Sequence, residues 1–444
     1  MTNSPPLWLR SWRRLSTAWT GEEFSSLVQS ALPAGLRLAG AFLQLLSTIL
    51  IARTLGVAES GMYFFWAAAM LEVGQVATYG LDRLALQQVP RLDSKNGELR
   101  NFLAPLRAFV LLLGLLLAIG LCAYALIFQP DAGRSLWWYL LPFLCVSGVA
   151  MSMVNSEAMA GLGRPVLAII CRHTILNVLL ISAVFLLGSH LTADLAITAY
   201  ALAFFLSGFS AFGFRGFREQ GVPFGFPSGS QVRYFWREGS PLFVGSVFAT
   251  MGFMIPLAVL ERTHSSSEIA LVTTGFRIFV LVDVLARAIH SLVMPQLSRA
   301  AHKSEGKRLF QIYRSAVFKG IAILGLPIVG MFVLATPVMN LFGEGFGEGA
   351  PLFRIFMAFA LNSLLLGPAQ QLLLMVGHTK TMAAFSLVYC LTAGILSIFL
   401  VPTFGPIAFV YAICIGLLIE KVLVLNYSAR AIRKVEFTSE GGQQ

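Results

Sequence analysis

PLRAFVLLLGLLLAIGLCAYALI, residues 105–127, carries a single charged side chain, Arg107. Its apolar residues run on without alternating with polar ones, which excludes a half-buried strand or a strand of a membrane barrel. A helix rises about 1.5 Å per residue, so about 20 apolar residues cross the hydrocarbon core of a bilayer. Backbone groups in that core must be satisfied internally, which a helix does within its own length. The stretch therefore predicts a transmembrane helix. Eleven others share its character, at 32–53, 61–80, 136–158, 166–188, 192–213, 240–260, 268–296, 316–340, 352–376, 381–401 and 405–426.

Composition agrees. Of 444 residues 57% are hydrophobic and 12% charged, against about 25% charged in soluble proteins. The expected fold is an all-α integral membrane protein of about twelve spans. The net charge of +11 does not point to nucleic acid, because the basic residues are dispersed through the connections. With both termini placed in the cytoplasm, and Arg107 at the start of the third span counted with the connection before it, 24 of the 32 Lys and Arg residues fall on the cytoplasmic side, as the positive-inside rule requires. The opposite side receives Arg53, Arg134, Arg262 and Arg354.

The first residues read as a cytoplasmic amphipathic segment, 1–31. Trp8, Trp12, Leu15 and Trp19 recur at helical spacing, with Arg10, Arg13 and Arg14 off that stripe; a disordered leader is the competing reading. A basic cytoplasmic connection, 214–239, separates 32–213 from 240–426, six spans each, and 427–444 forms a cytoplasmic tail. The halves echo one another weakly. Glu59, Glu72 and Pro90 in the first correspond to Glu268, Asp283 and Pro295 in the second, and internal repeats are typical of transporters. Cys122, Cys145, Cys171, Cys390 and Cys414 each fall in a span and form no Cys-x-x-Cys pair, so neither disulfide nor metal is expected. The stretch Gly343–Gly349, GEGFGEG, lacks the Lys-Ser/Thr of a nucleotide loop and reads as a flexible connection. No cofactor is implied.

Charges inside spans carry the functional signal, since each is costly in lipid unless it meets a partner or water. Arg37, Gly40, Gln44, Ser47 and Thr48 share a face of the first span. Glu72, Gln75, Tyr79 and Arg83 do so in the second. In the eighth, Asp283, Arg287 and His290 align, with Arg277 on a flank, and Asp283 is well spaced to pair with Arg287. The substrate-cleft candidates are thus Arg37, Gln44, Glu72, Gln75, Arg83, Arg277, Asp283 and Arg287, with Asp283 and His290 as candidates for ion coupling. Buried ion pairs that merely fix helix packing are the alternative. Glu157, Arg172, His173 and Asn177 form a polar cluster at one end of the fourth and fifth spans. Glu420 and Lys421, near the end of the last span, read as interfacial charges.

IARTLGVAESG (Ile51–Gly61) followed by Gly80-Leu81-Asp82-Arg83, VMPQLSRA (Val293–Ala300), LFGEGFGEGAPLFRIF (Leu341–Phe356) and LLMVGHTK (Leu373–Lys380) resemble the polysaccharide exporter and O-antigen flippase family of the multidrug/oligosaccharidyl-lipid/polysaccharide flippase superfamily. The resemblance spans most of the chain, rests on turns and hydrophobic pattern, and contains no catalytic signature. It implies two six-helix bundles around a central cleft lined by the first, second, seventh and eighth helices. The polar stripes fall on three of these; the seventh offers only Ser246 and Thr250.

The implied function is translocation of a polyprenyl-diphosphate-linked oligosaccharide across a bacterial inner membrane during cell-surface polysaccharide (lipopolysaccharide O-antigen or exopolysaccharide) biosynthesis. Expected partners are that lipid-linked saccharide, membrane lipids, a polysaccharide polymerase and glycosyltransferases. An ion-coupled multidrug or small-molecule antiporter on the same fold is the alternative. A peptidoglycan-precursor flippase would bring two further helices, and a membrane glycosyltransferase a large catalytic loop. The charge bias makes the orientation testable. In a Cys-free background, single cysteines near Asp131, His264 and Glu348 should react with an impermeant thiol reagent from outside, and one at Lys303 should not. Strong external labelling at 303 would reverse the topology.

Overall fold

The computed structural model describes residues 21–92, 97–128, 136–213, 224–291, 306–375 and 379–440, and all the long elements among them are helices. Eleven are long and apolar enough to cross a membrane. One of these, Gly35–Ala77, has 43 residues and would extend about 65 Å if straight, twice the roughly 30 Å of hydrocarbon. It is two crossings. At Gly56 the backbone leaves helical geometry (φ 72°, ψ 176°), a conformation that glycine adopts without a steric penalty. Beyond it the Ser60 hydroxyl returns to the Ala52 carbonyl at 3.5 Å; in a continuous helix those residues would be about 12 Å apart. The described residues therefore make the twelve crossings expected.

The spans after this pair are Glu98–Phe128, Trp137–Gly161, Pro165–His190, Ala193–Gly213, Gly229–Thr263, Ser266–Ala286, Gln311–Val333, Phe346–Leu366, Lys380–Phe404 and Pro406–Arg430. The two ends of the described chain, Gly21 and Glu440, lie at one end of the helices, with exposed Arg83, Arg91, Arg100, Arg164, Arg233, Arg237, Arg308, Lys380 and Arg430. We call this the basic end, and the opposite one, with the turns at Gly56, His264 and Gly405, the far end.

Hydropathy set several ends too tightly. The third span starts at Glu98 rather than 105, so Arg107 lies inside it, 3% exposed, and is not a connection charge. The seventh starts at Gly229, where Ser228 and Gln231 form a reciprocal capping box that satisfies two free amides. The first helix runs unbroken from Gly21, and the last continues to Glu440. The Trp8–Trp19 stripe, Asp131 and Pro295 lie outside the described residues. Nor is Gly343–Gly349 a loose connection. Phe342 and Phe346 are buried to 1% and 0% exposure, and Phe346–Gly349 makes a 3-10 turn, because two aromatic rings anchor an otherwise permissive segment.

Each half is tied internally by polar contacts. In the first, Ser47 donates to Asn177 (first to fifth span, 2.9 Å), and the Ala193 amide donates to Glu59 (sixth to second, 2.9 Å). Arg107 donates to Asn155, which donates to the Gly208 carbonyl, both at 3.0 Å, joining spans three, four and six. In the second half, Phe253 stacks on Phe276 at 4.2 Å, and Phe279 on Phe356 at 5.7 Å, joining spans seven, eight and ten. Tyr313 donates to the Leu365 carbonyl (ninth to tenth, 2.7 Å). The cysteines are unpaired, four of them buried in helix packing.

Spans four and six cross at two glycines. A Cβ on Gly148 would stand 2.4 Å from the Phe204 and Phe205 backbone, and one on Gly208 would stand 2.2 Å from the Gly148 carbonyl oxygen. Small residues permit this approach where the hydrophobic effect gives helices no reason to associate. Gly148→Ala and Gly208→Ala should each destabilise the protein by about 1–3 kcal/mol through overpacking. Gly120→Ala, with nothing within 4 Å of its Cβ, should be neutral or slightly stabilising. Thermal unfolding in detergent checks this; three equal melting temperatures would contradict the crossing.

Candidate functional site

The surfaces where the halves meet contain the candidate residues. At the far end the meeting is tight. A Cβ on Gly61 would be 1.7 Å from the Ser266 carbonyl oxygen, so the second and eighth spans touch backbone to backbone. Arg53 donates to the Leu341 carbonyl at 2.8 Å, and Gly345 lies against Val57. Tyr124 donates to Glu261 at 3.0 Å, and the Arg262 guanidinium lies over the Phe128 ring at 4.1 Å. Towards the basic end the second and seventh spans remain in contact. There Tyr79 stacks on Phe243 at 4.3 Å and on Trp236 at 5.0 Å, and its hydroxyl is 3.2 Å from that of Ser240.

The first and eighth spans differ. On the basic half of the first, Arg37, Leu38, Phe42 and Gln44 are exposed, while Gly40 and Ser47 pack on His173 and Asn177 of the fifth. The stripe seen in the sequence is thus divided. Its Gly40–Ser47 edge is interior to the first half, and its Arg37–Gln44 edge stands open. On the eighth span Val280 and Val284 are exposed, and by the 3.6 period Arg277 shares their side of the helix. On the seventh, Ser246 and Ala249 are exposed.

The candidates lie well inside the spans. Counted at 1.5 Å per residue from Gly56, His264 and Gly405, Gln44, Arg277, Thr250, Glu72, Lys421 and Asp283 lie between about 18 and 29 Å in. Glu72 accepts a hydrogen bond from Thr250 at 3.1 Å, a side-chain link between the halves in mid-membrane. Arg277 reaches from the eighth span over the Phe64 ring of the second, 4.3 Å from its centre, a cation–π contact of about 0.5–2 kcal/mol. Gln75 is half-buried near Glu72. Arg83 does not continue the Glu72 stripe. Tyr79 (φ 56°) and Gly80 (φ 73°) are left-handed, the span ends there, and Arg83 is exposed on a separate short helix, Leu81–Gln88. The side chains of Arg287 and His290 lie outside the described residues.

Asp283 has a partner that the sequence did not suggest. The Lys421 ammonium is 3.8 Å from its carboxylate, with side chains 15% and 27% exposed respectively. Lys421 also donates to Ser363, and its neighbour Glu420 accepts from Ser386 at 3.0 Å. One dipeptide thereby holds spans eight, ten and eleven to the twelfth. It is not an interfacial pair: about 24 Å from the far-end turn at Gly405, it is the second half's polar core. The cluster at the fourth and fifth spans is also knit together, with Arg172 pairing with Glu157 at 3.2 Å beside a π-helical turn, Ile170–Thr174. No group of His, Cys, Asp and Glu among the described residues is arranged to hold a metal ion.

The fold that carries this arrangement has counterparts among solved structures. An inward-facing multidrug resistance MATE family transporter of the MOP superfamily matches with TM-score 0.69 at 15% identity, covering 90% of this chain and 96% of that one. Lipid II flippase MurJ, in an inward closed conformation, matches with TM-score 0.71 at 15% identity, covering 92% and 90%. An outward-facing MATE family transporter matches with TM-score 0.58 at 14% identity, covering 93% and 96%. At these identities the likeness shows the fold alone, one that this chain shares with those proteins. A search of curated proteins finds no match. The family model for polysaccharide biosynthesis proteins matches residues 32–301. That is more than half of the chain, which therefore belongs to the polysaccharide biosynthesis protein family.

Proposed function

We propose that this protein carries a lipid-linked oligosaccharide, borne on a prenyl diphosphate, from the cytoplasmic to the outer leaflet of a bacterial inner membrane, with both termini cytoplasmic. The observation that carries the reading is the polar layer of Gln44, Glu72 and Arg277 deep between the halves of a member of this family, with Asp283 behind it on Lys421 of the twelfth span. The prenyl chain is at home in hydrocarbon. The sugars and diphosphate are not, and each unsatisfied polar group in lipid costs several kcal/mol. A cleft beside the exposed edges of the first and eighth spans takes in the head and leaves the tail outside.

Arginine suits the diphosphate, because its planar fork donates two hydrogen bonds to phosphate oxygens. Arg37 and Arg277 are the candidates on the described helices, with Arg287 one helical turn beyond Asp283. In this conformation Arg277 rests on Phe64 and is available to an anion once the far end parts. Passage of the head group then requires the Gly61–Ser266, Arg53–Leu341 and Tyr124–Glu261 contacts to separate while the basic half closes. Energy comes from an ion gradient, the membrane potential or consumption of the product.

A second reading, a multidrug antiporter, is favoured by one feature. Glu72 is an acid in mid-membrane, bonded across the halves to Thr250, where protonation would compete with binding of a cation. The two readings separate in reconstituted vesicles. Wild type should move a fluorescent prenyl-diphosphate saccharide between leaflets, and Arg277→Ala should slow it by about tenfold or more, the worth of a charged hydrogen bond, at unchanged abundance. Arg277→Lys should rescue only in part. Phe64→Leu, which removes the ring but keeps the arginine, should transport better than Arg277→Ala. No saccharide transport, with proton-driven dye efflux that Glu72→Gln abolishes, would replace the first reading by the second.

A further inference from the structure

A groove of about 370 Å³ runs between the seventh and eleventh spans at the basic end, lined by Ser240, Pro241, Val244, Phe248, Lys380, Ala383 and Ala384. It is not part of the cleft. Val244 points about 160° away from Ser246 around the seventh helix, and Ser246 is on the cleft side. Pro241, Val244 and Phe248 form one stripe at spacings of three and four, the facing wall is two alanines, and the groove is therefore apolar along its length. Its depth is fixed by the sequence. Residues 239–260 contain no charge, and Arg237 and Glu238 stand immediately before them, so the groove begins where the hydrocarbon begins.

Its upper rim is cationic. Lys380, in the first turn of the eleventh span, is exposed on one wall. Arg237, four residues before Pro241, continues the same stripe on the other. Arg237 is paired only with its exposed neighbour Glu238, at 3.0 Å, among the contacts described, and a surface pair of that kind holds its partner weakly. Trp236 is 56% exposed at the same level, where indole rings sit among head groups. Below the groove the walls converge: a Cβ on Gly252 would be 2.3 Å from the Tyr389 ring. An apolar slot that is closed at its deep end and has two cations at the head-group level fits an anionic amphiphile.

We propose that the groove seats an acyl chain of an anionic phospholipid from the leaflet at the basic end, with its phosphate between Lys380 and Arg237. The lipid would fill the gap between a cleft helix and its neighbour and so bear on how the seventh span moves. Each cation near a membrane surface contributes about a fivefold preference for anionic lipid.

The test is native mass spectrometry of the full-length protein, released from nanodiscs of equal phosphatidylglycerol and phosphatidylcholine. Wild type should retain phosphatidylglycerol preferentially. Lys380→Gln and Arg237→Gln should each lower that preference about fivefold, and the pair about 25-fold, whereas Arg164→Gln, an exposed cation elsewhere at that end, should leave it unchanged. Ala384→Leu, which narrows the slot without touching charge, should lower retention of both lipids. Unchanged preference in the double charge variant, or an equal loss in Arg164→Gln, overturns the proposal. So does full retention in Ala384→Leu. None of these outcomes bears on what the cleft transports.

Discussion

A polar group inside the hydrocarbon must find its partner within the protein, and the structure depends on how that requirement is met. The backbone meets it by forming helices. The side chains meet it by linking helices that are distant in sequence. Arg107 finds Asn155 and, through it, Gly208. Ser47 finds Asn177, and Lys421 finds Asp283 and Ser363. Lipid gives helices no hydrophobic reason to associate. These links and the glycine crossing of the fourth and sixth spans therefore specify each half as a unit.

Between the halves the same requirement is met differently. In mid-membrane Glu72 leans on Thr250, and Arg277 lies over an aromatic ring rather than on a carboxylate. Neither contact need be costly to exchange, because a polar head group arriving in the cleft offers equivalent or better partners. The far-end seal is short-range and built of backbone approach, one carbonyl and one tyrosine–glutamate bond. Two internally braced halves with an exchangeable interface are what the proposed alternating exposure would need.

The twelve spans were legible because hydropathy measures what lipid requires. Their ends were less so. The seventh helix projects as far as Gly229 on a Ser228–Gln231 cap that no hydropathy window registers. Helical periodicity named which residues share a face, though not what faces them, so Ser47 went to the fifth span and Gln44 remained open. It failed at Arg83, because a left-handed turn at Tyr79 and Gly80 resets the register. Arg107 and Lys421 were read as boundary charges because each is near a span end in the sequence. Their partners lie 48 and 58 residues away along the chain, a distance over which a single sequence carries no signal. Asn155 and Ser363, polar residues inside their spans, were the available hints.

The central claim is that the far-end seal opens in each transport cycle. It is tested by joining Tyr124→Cys to Glu261→Cys, in a Cys-free background, with a bis-methanethiosulfonate cross-linker, across the third and seventh spans where the native tyrosine hydroxyl and carboxylate meet at 3.0 Å; a linker replaces the length of the two native side chains, which a direct disulfide cannot span. The account predicts that the cross-linked protein, reconstituted in vesicles, moves no lipid-linked saccharide between leaflets and that reduction, which cleaves the linker, restores transport. Transport at the same rate in cross-linked and reduced protein would show that the far end need not part, and would contradict the account.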